Sequence, residues 1–177
     1  MPEYIIRPAL PEHIPQLAAV EQAAATLFPT GTIPDAIRGD SVPVPLLEEA
    51  AGAGNLWAAL DGSGRAIGFA LLCVEEGCAL LAEMDVMPEH GGRGIGRKLI
   101  AEAARKARED GHAALYLTTF SHVPWNMPFY ERVGFSLLPE GKAPPALESA
   151  LQAERARGME HRVAMRMALI PAHDETR

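Results

Sequence analysis

The chain has 177 residues, 48% of them apolar and 22% charged, which is enough for a real core and excludes wholesale disorder. Its 16 Lys and Arg against 23 Asp and Glu leave a net charge of -7, which argues against a general nucleic-acid binder. Two cysteines exclude a disulfide-rich scaffold or a four-cysteine zinc site, no His/Cys/Asp set has metal-ligand spacing, and no apolar run approaches the roughly 18–20 residues that span a bilayer.

Along the chain, Tyr4 to Arg7 reads as a short strand stopped by Pro8. Pro11 to Ala25 reads as a helix, with Ile14, Leu17 and Glu21 joined by Ala18, Val20 and Ala24 in one stripe. Residues 28–45 are broken by Pro29, Gly31, Pro34, Gly39, Pro43 and Pro45, and a loop of this length suits the border of an acceptor pocket as well as an ordinary connection. Leu46 to Ala51 forms a turn or two of helix. Leu56–Leu60 and Ala66–Val74 are strands around the hairpin turn Asp61-Gly62-Ser63-Gly64, and Cys78–Met87 is a third antiparallel neighbour.

Pro88 ends that strand, and Glu89-His90-Gly91-Gly92-Arg93-Gly94-Ile95-Gly96 opens a helix running to about Asp110. Ile95, Leu99, Ala103 and Ala107 recur every four residues along it, and Gly111 stops it. Ala113–Thr119 is the next strand, Phe129–Arg132 a short helix, and Gly134–Leu138 a strand. Pro144–Arg157 is an added helix and Val163–Leu169 a last strand. The order predicts a mixed α/β fold.

The strand, glycine-rich turn and helix around Gly91 carry the strongest chemical signal. Such a turn aims backbone N–H groups at an anion, at the positive end of a helix. Arg93, Arg97 and Lys98 add local positive charge. The Gly-x-x-x-x-Gly-Lys-Ser/Thr phosphate loop is absent, and Gly92-Arg93-Gly94-Ile95-Gly96 lacks the Gly-x-Gly-x-x-Gly spacing of a dinucleotide fold. A coenzyme A pyrophosphate loop and a ligand-free glycine turn remain on spacing alone.

Val86-x-Pro88 followed by Arg93-Gly94-Ile95-Gly96-x-x-Leu99 resembles the acyl-CoA motif of the GNAT N-acetyltransferase superfamily, and Phe129-Tyr130-Glu131-Arg132-Val133-Gly134-Phe135 resembles its later Tyr-Glu-x-x-Gly-Phe segment. The resemblance implies one acetyltransferase domain over 1–177, with its core at about 3–138 and 161–170 and an extra helical segment at about 143–158. The implied fold is α/β, a mostly antiparallel twisted sheet of six to seven strands flanked by helices. It implies transfer of acetyl from acetyl-CoA to a primary amine by direct attack, with no metal. The first motif position falls on Gly91, and the asparagine that many members carry before the tyrosine falls on Val123, leaving Ser121, His122 or Asn126 to replace it.

An amine arrives protonated, so a base is needed. Glu83 and Asp85, two residues apart, share one strand face, with Ala82, Met84 and Val86 on the other. Either is a candidate base, and both are equally readable as partners for a cationic substrate. The resemblance assigns Tyr130 as the acid for the departing thiolate, and a backbone N–H of Val86 or Met87 as the oxyanion donor. The implied cofactor contacts are Val86, Met87, Gly91, Gly92, Arg93, Gly94, Ile95, Gly96, Arg97, Lys98, Asn126 and Tyr130. A small-molecule or protein amine is the expected acceptor, with no nucleic acid or membrane partner and a homodimer open. The start, MPEYIIRPALPEH, lacks the pattern of a secretory signal, so the expected location is cytoplasmic. The competing reading is an acyl-CoA-binding sensor without turnover.

Overall fold

The computed structural model describes residues 4–169. The core limits expected at residues 3 and 170 lie just outside that range. Seven strands form one sheet in the order β1-β2-β3-β4-β5-β7-β6: β1 (Tyr4–Pro8), β2 (Leu56–Asp61), β3 (Ala66–Glu75), β4 (Cys78–Val86), β5 (Ala114–Phe120), β6 (Ser136–Leu137) and β7 (Arg162–Ala168). Five α-helices pack around it: α1 (Ile14–Ala25), α2 (Val44–Gly52), α3 (Ile95–Glu109), α4 (Asn126–Val133) and α5 (Pro145–Ala156). This is the mixed, mostly antiparallel sheet that the element order predicts.

Several boundaries differ for local reasons. Helix α1 starts at Ile14 rather than Pro11, because residues 11–13 form a tighter turn held by His13 N–H on Leu10 O at 2.9 Å. The His13 imidazole closes that turn by accepting Leu10 N–H at 3.0 Å. Helix α4 begins three residues early, at Asn126, since Pro128 falls in its first turn, where a missing N–H costs nothing. The strand expected over 134–138 shrinks to two residues. Gly134, at φ +116°, instead caps α4 in a left-handed turn, with its N–H on Tyr130 O at 3.1 Å.

The sheet is continuous from β1 to β4 and again across β5, β7 and β6. Between these halves, parallel pairing of β4 with β5 is confined to Ala79–Leu115 and Leu80–Tyr116. Beyond those pairs the strands part. The register explains why: Leu72 pairs with Leu81 but Leu71 pairs with Glu83, so Ala82 is the extra residue of a β-bulge. Ala82 is therefore exposed at the bulge, not directed to the core as expected.

The bulge also exchanges the faces of β4. Leu80 packs with Leu147 and Leu151 of α5. Without an extra residue, Met84 would follow Leu80 on that side. Instead Met84 lies on the α3 side, against Gly96, and Glu83 and Asp85 take the side shared with α1 and α5. Gly68 on β3 permits close approach here, because a Cβ on it would lie 2.9 Å from Asp85 O. We predict that Gly68→Ala destabilises the fold by about 1–3 kcal/mol in urea unfolding.

Candidate functional site

A cleft of about 930 Å³ opens where β4 and β5 separate. Residues 81–86 of β4 form one wall and 117–120 of β5 the other. The glycine turn sits at one end. At the other end are α1, the 27–40 loop and the C-terminal part of α5.

The glycine turn is built to present donors. Gly92 (φ +72°) and Gly94 (φ +79°) hold left-handed backbone that other residues adopt at a cost. Among the described residues, no protein acceptor meets the six N–H groups from Gly92 to Arg97, and Lys98 N–H is the first to bond within the helix, to Gly94 O at 3.1 Å. Those donors add to the positive helix end. The Tyr4 hydroxyl donates to Arg93 O at 3.0 Å and so ties the turn to β1. Gly96 lets α3 lie close to the sheet, since a Cβ there would meet Phe129 Cζ at 3.2 Å and Met84 Sδ at 3.3 Å.

Most of the expected contact residues line the cleft: Val86, Gly91, Gly92, Gly94, Ile95, Gly96, Arg97, Asn126 and Tyr130, with Glu83 and Asp85. Met87, Arg93 and Lys98 do not. Met87 is buried and its N–H bonds Ile67 O at 2.9 Å, so it is engaged in the sheet. Arg93 is exposed, and the Lys98 ammonium stands 4.8 Å over the Tyr4 ring. Gly91 lines the cleft, but its N–H is engaged with Pro88 O at 3.0 Å.

The Met87 bond also orients Val86. It makes Val86 and Gly68 a pair that exchanges no hydrogen bonds, so Val86 N–H turns away from β3 toward the gap beside β5. Of the two expected oxyanion donors, only Val86 faces the cleft.

Asn126 is the one candidate for the missing asparagine that reaches the cleft. Its side-chain oxygen accepts from the Thr119 hydroxyl and from Phe120 N–H, the latter at 3.1 Å. It therefore fastens the start of α4 to the end of β5. Ser121 is turned to His161 O at 3.1 Å, and His122 stacks on His161 away from this cleft. Val123, at the family position, is buried.

Glu83 and Asp85 stand side by side. Burial, then the charge of Glu21, pushes the Glu83 carboxyl up to about 7. Burial, then the Glu83 and Glu21 charges, holds Asp85 well above the usual carboxylate range. Asp85 Oδ2 has no hydrogen-bond partner among the described residues. Two adjacent carboxylates that cannot both ionise cheaply titrate as a unit and share a proton. Burial also raises the Tyr130 phenol, helped by the charges of Asp85 and Glu83. Its ring is set by edge contacts with Phe129 and Phe135 at 5.1 and 5.9 Å.

Sequence reasoning reached the far end of the cleft only through the long loop, which does line it, and missed the side chains of α1, α5 and β7 there. Arg162 on β7 grips Glu154 of α5 at 2.9 Å, donates to the Thr118 hydroxyl at 2.9 Å, and lies 4.3 Å over the Phe120 ring. Arg157 clasps Asp40 of the long loop at 2.6 Å. Glu21 of α1 accepts Val42 N–H at 3.0 Å. Phe28 stacks at an angle on Trp125 and Phe120, at 4.9 and 5.5 Å. Glu21 did carry a signal: it is a carboxylate in the apolar stripe of α1. Glu154 follows Leu147 and Leu151 at helical spacing on α5 in the same way.

A family model described as the acetyltransferase (GNAT) family matches residues 22–135. Among solved structures, the chain is similar to N-acetylglutamate synthase from Neisseria gonorrhoeae complexed with coenzyme A and N-acetyl-glutamate (20% identity, TM-score 0.71). That match covers 94% of this chain and 35% of the other, so this chain spans about a third of that enzyme's length. It is also similar to the PaiA N-acetyltransferase of Thermoplasma acidophilum in complex with coenzyme A (16%, TM-score 0.71, covering 94% and 99%). A third is the ribosomal-protein-S18-alanine N-acetyltransferase of Escherichia coli (19%, TM-score 0.62, covering 98% and 99%). At these identities the likeness is one of fold.

The raised Glu83 carboxyl has a consequence for stability. Its ordinary value is 4.5, so between pH 4.5 and about 7 the folded chain binds more protons than the unfolded one. Stability then falls as pH rises through that window. We predict that Glu83→Gln matches the parent near pH 4.5 and is more stable by about 1–3 kcal/mol at pH 8, measured by urea unfolding at both pH values.

Proposed function

Because the chain belongs to the GNAT acetyltransferase family, we propose that it moves an acetyl group from acetyl-CoA to a primary amine by direct attack within the cleft. The observation that carries this reading is the line of free N–H groups from Gly92 to Arg97 at one end of a gap whose walls hold Glu83, Asp85 and Tyr130. Backbone donors in a row at a helix end suit a pyrophosphate, and Arg97 adds charge from the side. The parting of β4 from β5 leaves room for the pantetheine arm along the freed edge of β4.

The chemistry follows from the groups in the gap. An alkylammonium, with a pKa of roughly 10, enters beside the carboxylate pair and gives up a proton to Glu83, directly or through water. The freed nitrogen attacks the thioester carbon. Val86 N–H meets the oxyanion as a fixed donor. The C–S bond then breaks as the Tyr130 hydroxyl donates to the departing sulfur, and the nitrogen, cationic after attack, gives up its second proton, which restores the phenol directly or through water. Its pKa is raised by burial, so Tyr130 stays a donor where an ordinary phenol would begin to ionise. Arg93 and Lys98, placed outside the cleft, contribute field rather than contact in this scheme.

Titration calorimetry tests the cofactor: acetyl-CoA binds in the micromolar range and ATP does not. Steady-state kinetics test the chemistry. With amine in excess, kcat rises with an inflection near pH 7 as Glu83 ionises, and shows no descending limb up to about pH 10. Glu83→Gln removes the inflection and lowers kcat by about 10²-fold or more, with acetyl-CoA binding kept. Tyr130→Phe lowers kcat by about tenfold or more with the inflection intact. A folded protein that binds acetyl-CoA and turns over none of a broad amine panel would return the reading to a sensor.

A further inference from the structure

The carboxylates at the acceptor end of the cleft are not equivalent. Asp40 is held by Arg157 at 2.6 Å and Glu154 by Arg162 at 2.9 Å. Glu21, Glu83 and Asp85 have no ion-pair partner among the described residues. The reaction proposed above accounts for two of these three. Glu21 is left over: it sits on a different element, lines the same cavity near enough for its charge to raise both carboxyls, and has one backbone donor, Val42 N–H, at 3.0 Å. A further carboxylate beside a pair that already shares a proton makes every charge there costlier unless something cationic enters.

The remaining lining says what that something is. Phe28, Phe120 and Trp125 form an aromatic wall with centroids 4.9 and 5.5 Å apart, and Leu27, Ile33 and Ile37 add an apolar stretch beside it. Aromatic faces suit a cation, and the apolar stretch suits a hydrocarbon spacer. Among the described residues, the arginines that line this end from the long loop, the end of α5 and β7 are engaged. Arg157 and Arg162 are engaged, and Arg38 is turned to Ile33 O at 3.3 Å and Asp35 at 3.8 Å. Arg97 on α3 and Arg132 on the last turn of α4 also line the cleft, exposed and without an ion pair among the described residues. The long loop is also drawn across this end. Besides the Asp40–Arg157 pair, Pro34 packs so closely on Gly158 that a Cβ there would meet Pro34 Cγ at 3.3 Å.

The structure assigns Glu21 as the seat of a second cation: the acceptor is a small molecule with two ammonium groups joined by an apolar spacer. One amine is acetylated beside Glu83 and Asp85 while the other stays charged against Glu21. In that step an N–C bond forms and the thioester C–S bond breaks. The reacting ammonium gives one proton to Glu83 before attack and a second after it, which replaces the proton that Tyr130 passes to sulfur, and coenzyme A departs as the thiol. The inference rests on the acetyl-transfer reading.

The test compares kcat/KM for α,ω-diamines of increasing length with matched monoamines, an amino acid and a short peptide with a free N-terminus, for the parent chain and Glu21→Gln. We expect a diamine of one length to exceed its monoamine by about tenfold or more in the parent, with the advantage shrinking as salt is raised. Glu21→Gln should cut the diamine's kcat/KM about tenfold more than the monoamine's, mainly through KM. Glu21→Asp should restore part of the loss. Equal use of diamines and monoamines by the parent would overturn the inference and leave the acetyl-transfer reading standing. So would preference for the amino acid or the peptide, or an equal loss on both amines in Glu21→Gln. Failure of the parent to bind acetyl-CoA or to acetylate any amine would remove both. The parent's own preference and salt dependence decide the matter even if the variants do not fold.

Discussion

One extra residue in β4 governs the site. Ala82 has no partner on β3, and the bulge it makes bends β4 away from β5 after two pairs of contacts. A regular strand would continue the parallel ladder and close the sheet. It would also carry Met84 and Val86 on the α5 side and place the carboxylates under α3, among apolar side chains. The same insertion thus opens the gap, frees Val86 N–H and brings Glu83 and Asp85 into it. Gly68 across the ladder is the matching concession on β3, since no larger residue fits against the bent backbone.

The second constraint is electrostatic. Five carboxylates, Glu21, Asp40, Glu83, Asp85 and Glu154, line one cleft. Two are neutralised by arginines: Asp40 by the distant Arg157 after α5, and Glu154 by Arg162 on the adjoining β7. Those pairs have a mechanical role as well. Arg162 ties α5 to β5 and β7 through Glu154 and Thr118, and Arg157 ties α5 to the long loop. Helix α5 brings its own small core of Leu147 and Leu151 against Leu80 and Ala164, so the ties are anchored on packed structure. The carboxylates left without arginines are those facing the open volume, which keeps the negative field where a ligand enters.

Legibility in the sequence divides along the same line. Periodicity and turn residues locate all the strands and helices, because local pattern and tertiary burial agree there. The glycine turn is legible because it is one contiguous segment. The carboxylate pair is legible as alternation on a strand. Its face is not, since a bulge at Ala82 has no local signature: alanine is neither a turn former nor a glycine. Helix α4 is read too short because Pro124 and Pro128 mask a start that the Asn126–Thr119 contact secures. The far end of the cleft, with Glu21, Asp40, Glu154 and Arg162, draws on segments more than 100 residues apart and has no spacing to read. What could be seen was each glutamate on an otherwise apolar helical stripe, a carboxylate placed where burial would normally exclude it.

The two ends of the cleft therefore differ in what specifies them. The glycine-turn end is made of backbone N–H groups, strand divergence and a few positions that exclude a Cβ. Such a site depends little on which side chains surround it. The other end is made of side chains on α1, α5, β7 and the long loop, each replaceable without touching the sheet. Change there alters which ligand is held and leaves the glycine turn intact. In the reading proposed above, the chain's own ionic pairing is the more specific record of its acceptor. Arginines neutralise Asp40 and Glu154, and Glu21 is left facing the cavity, so the charge that remains is the complement of the molecule that enters.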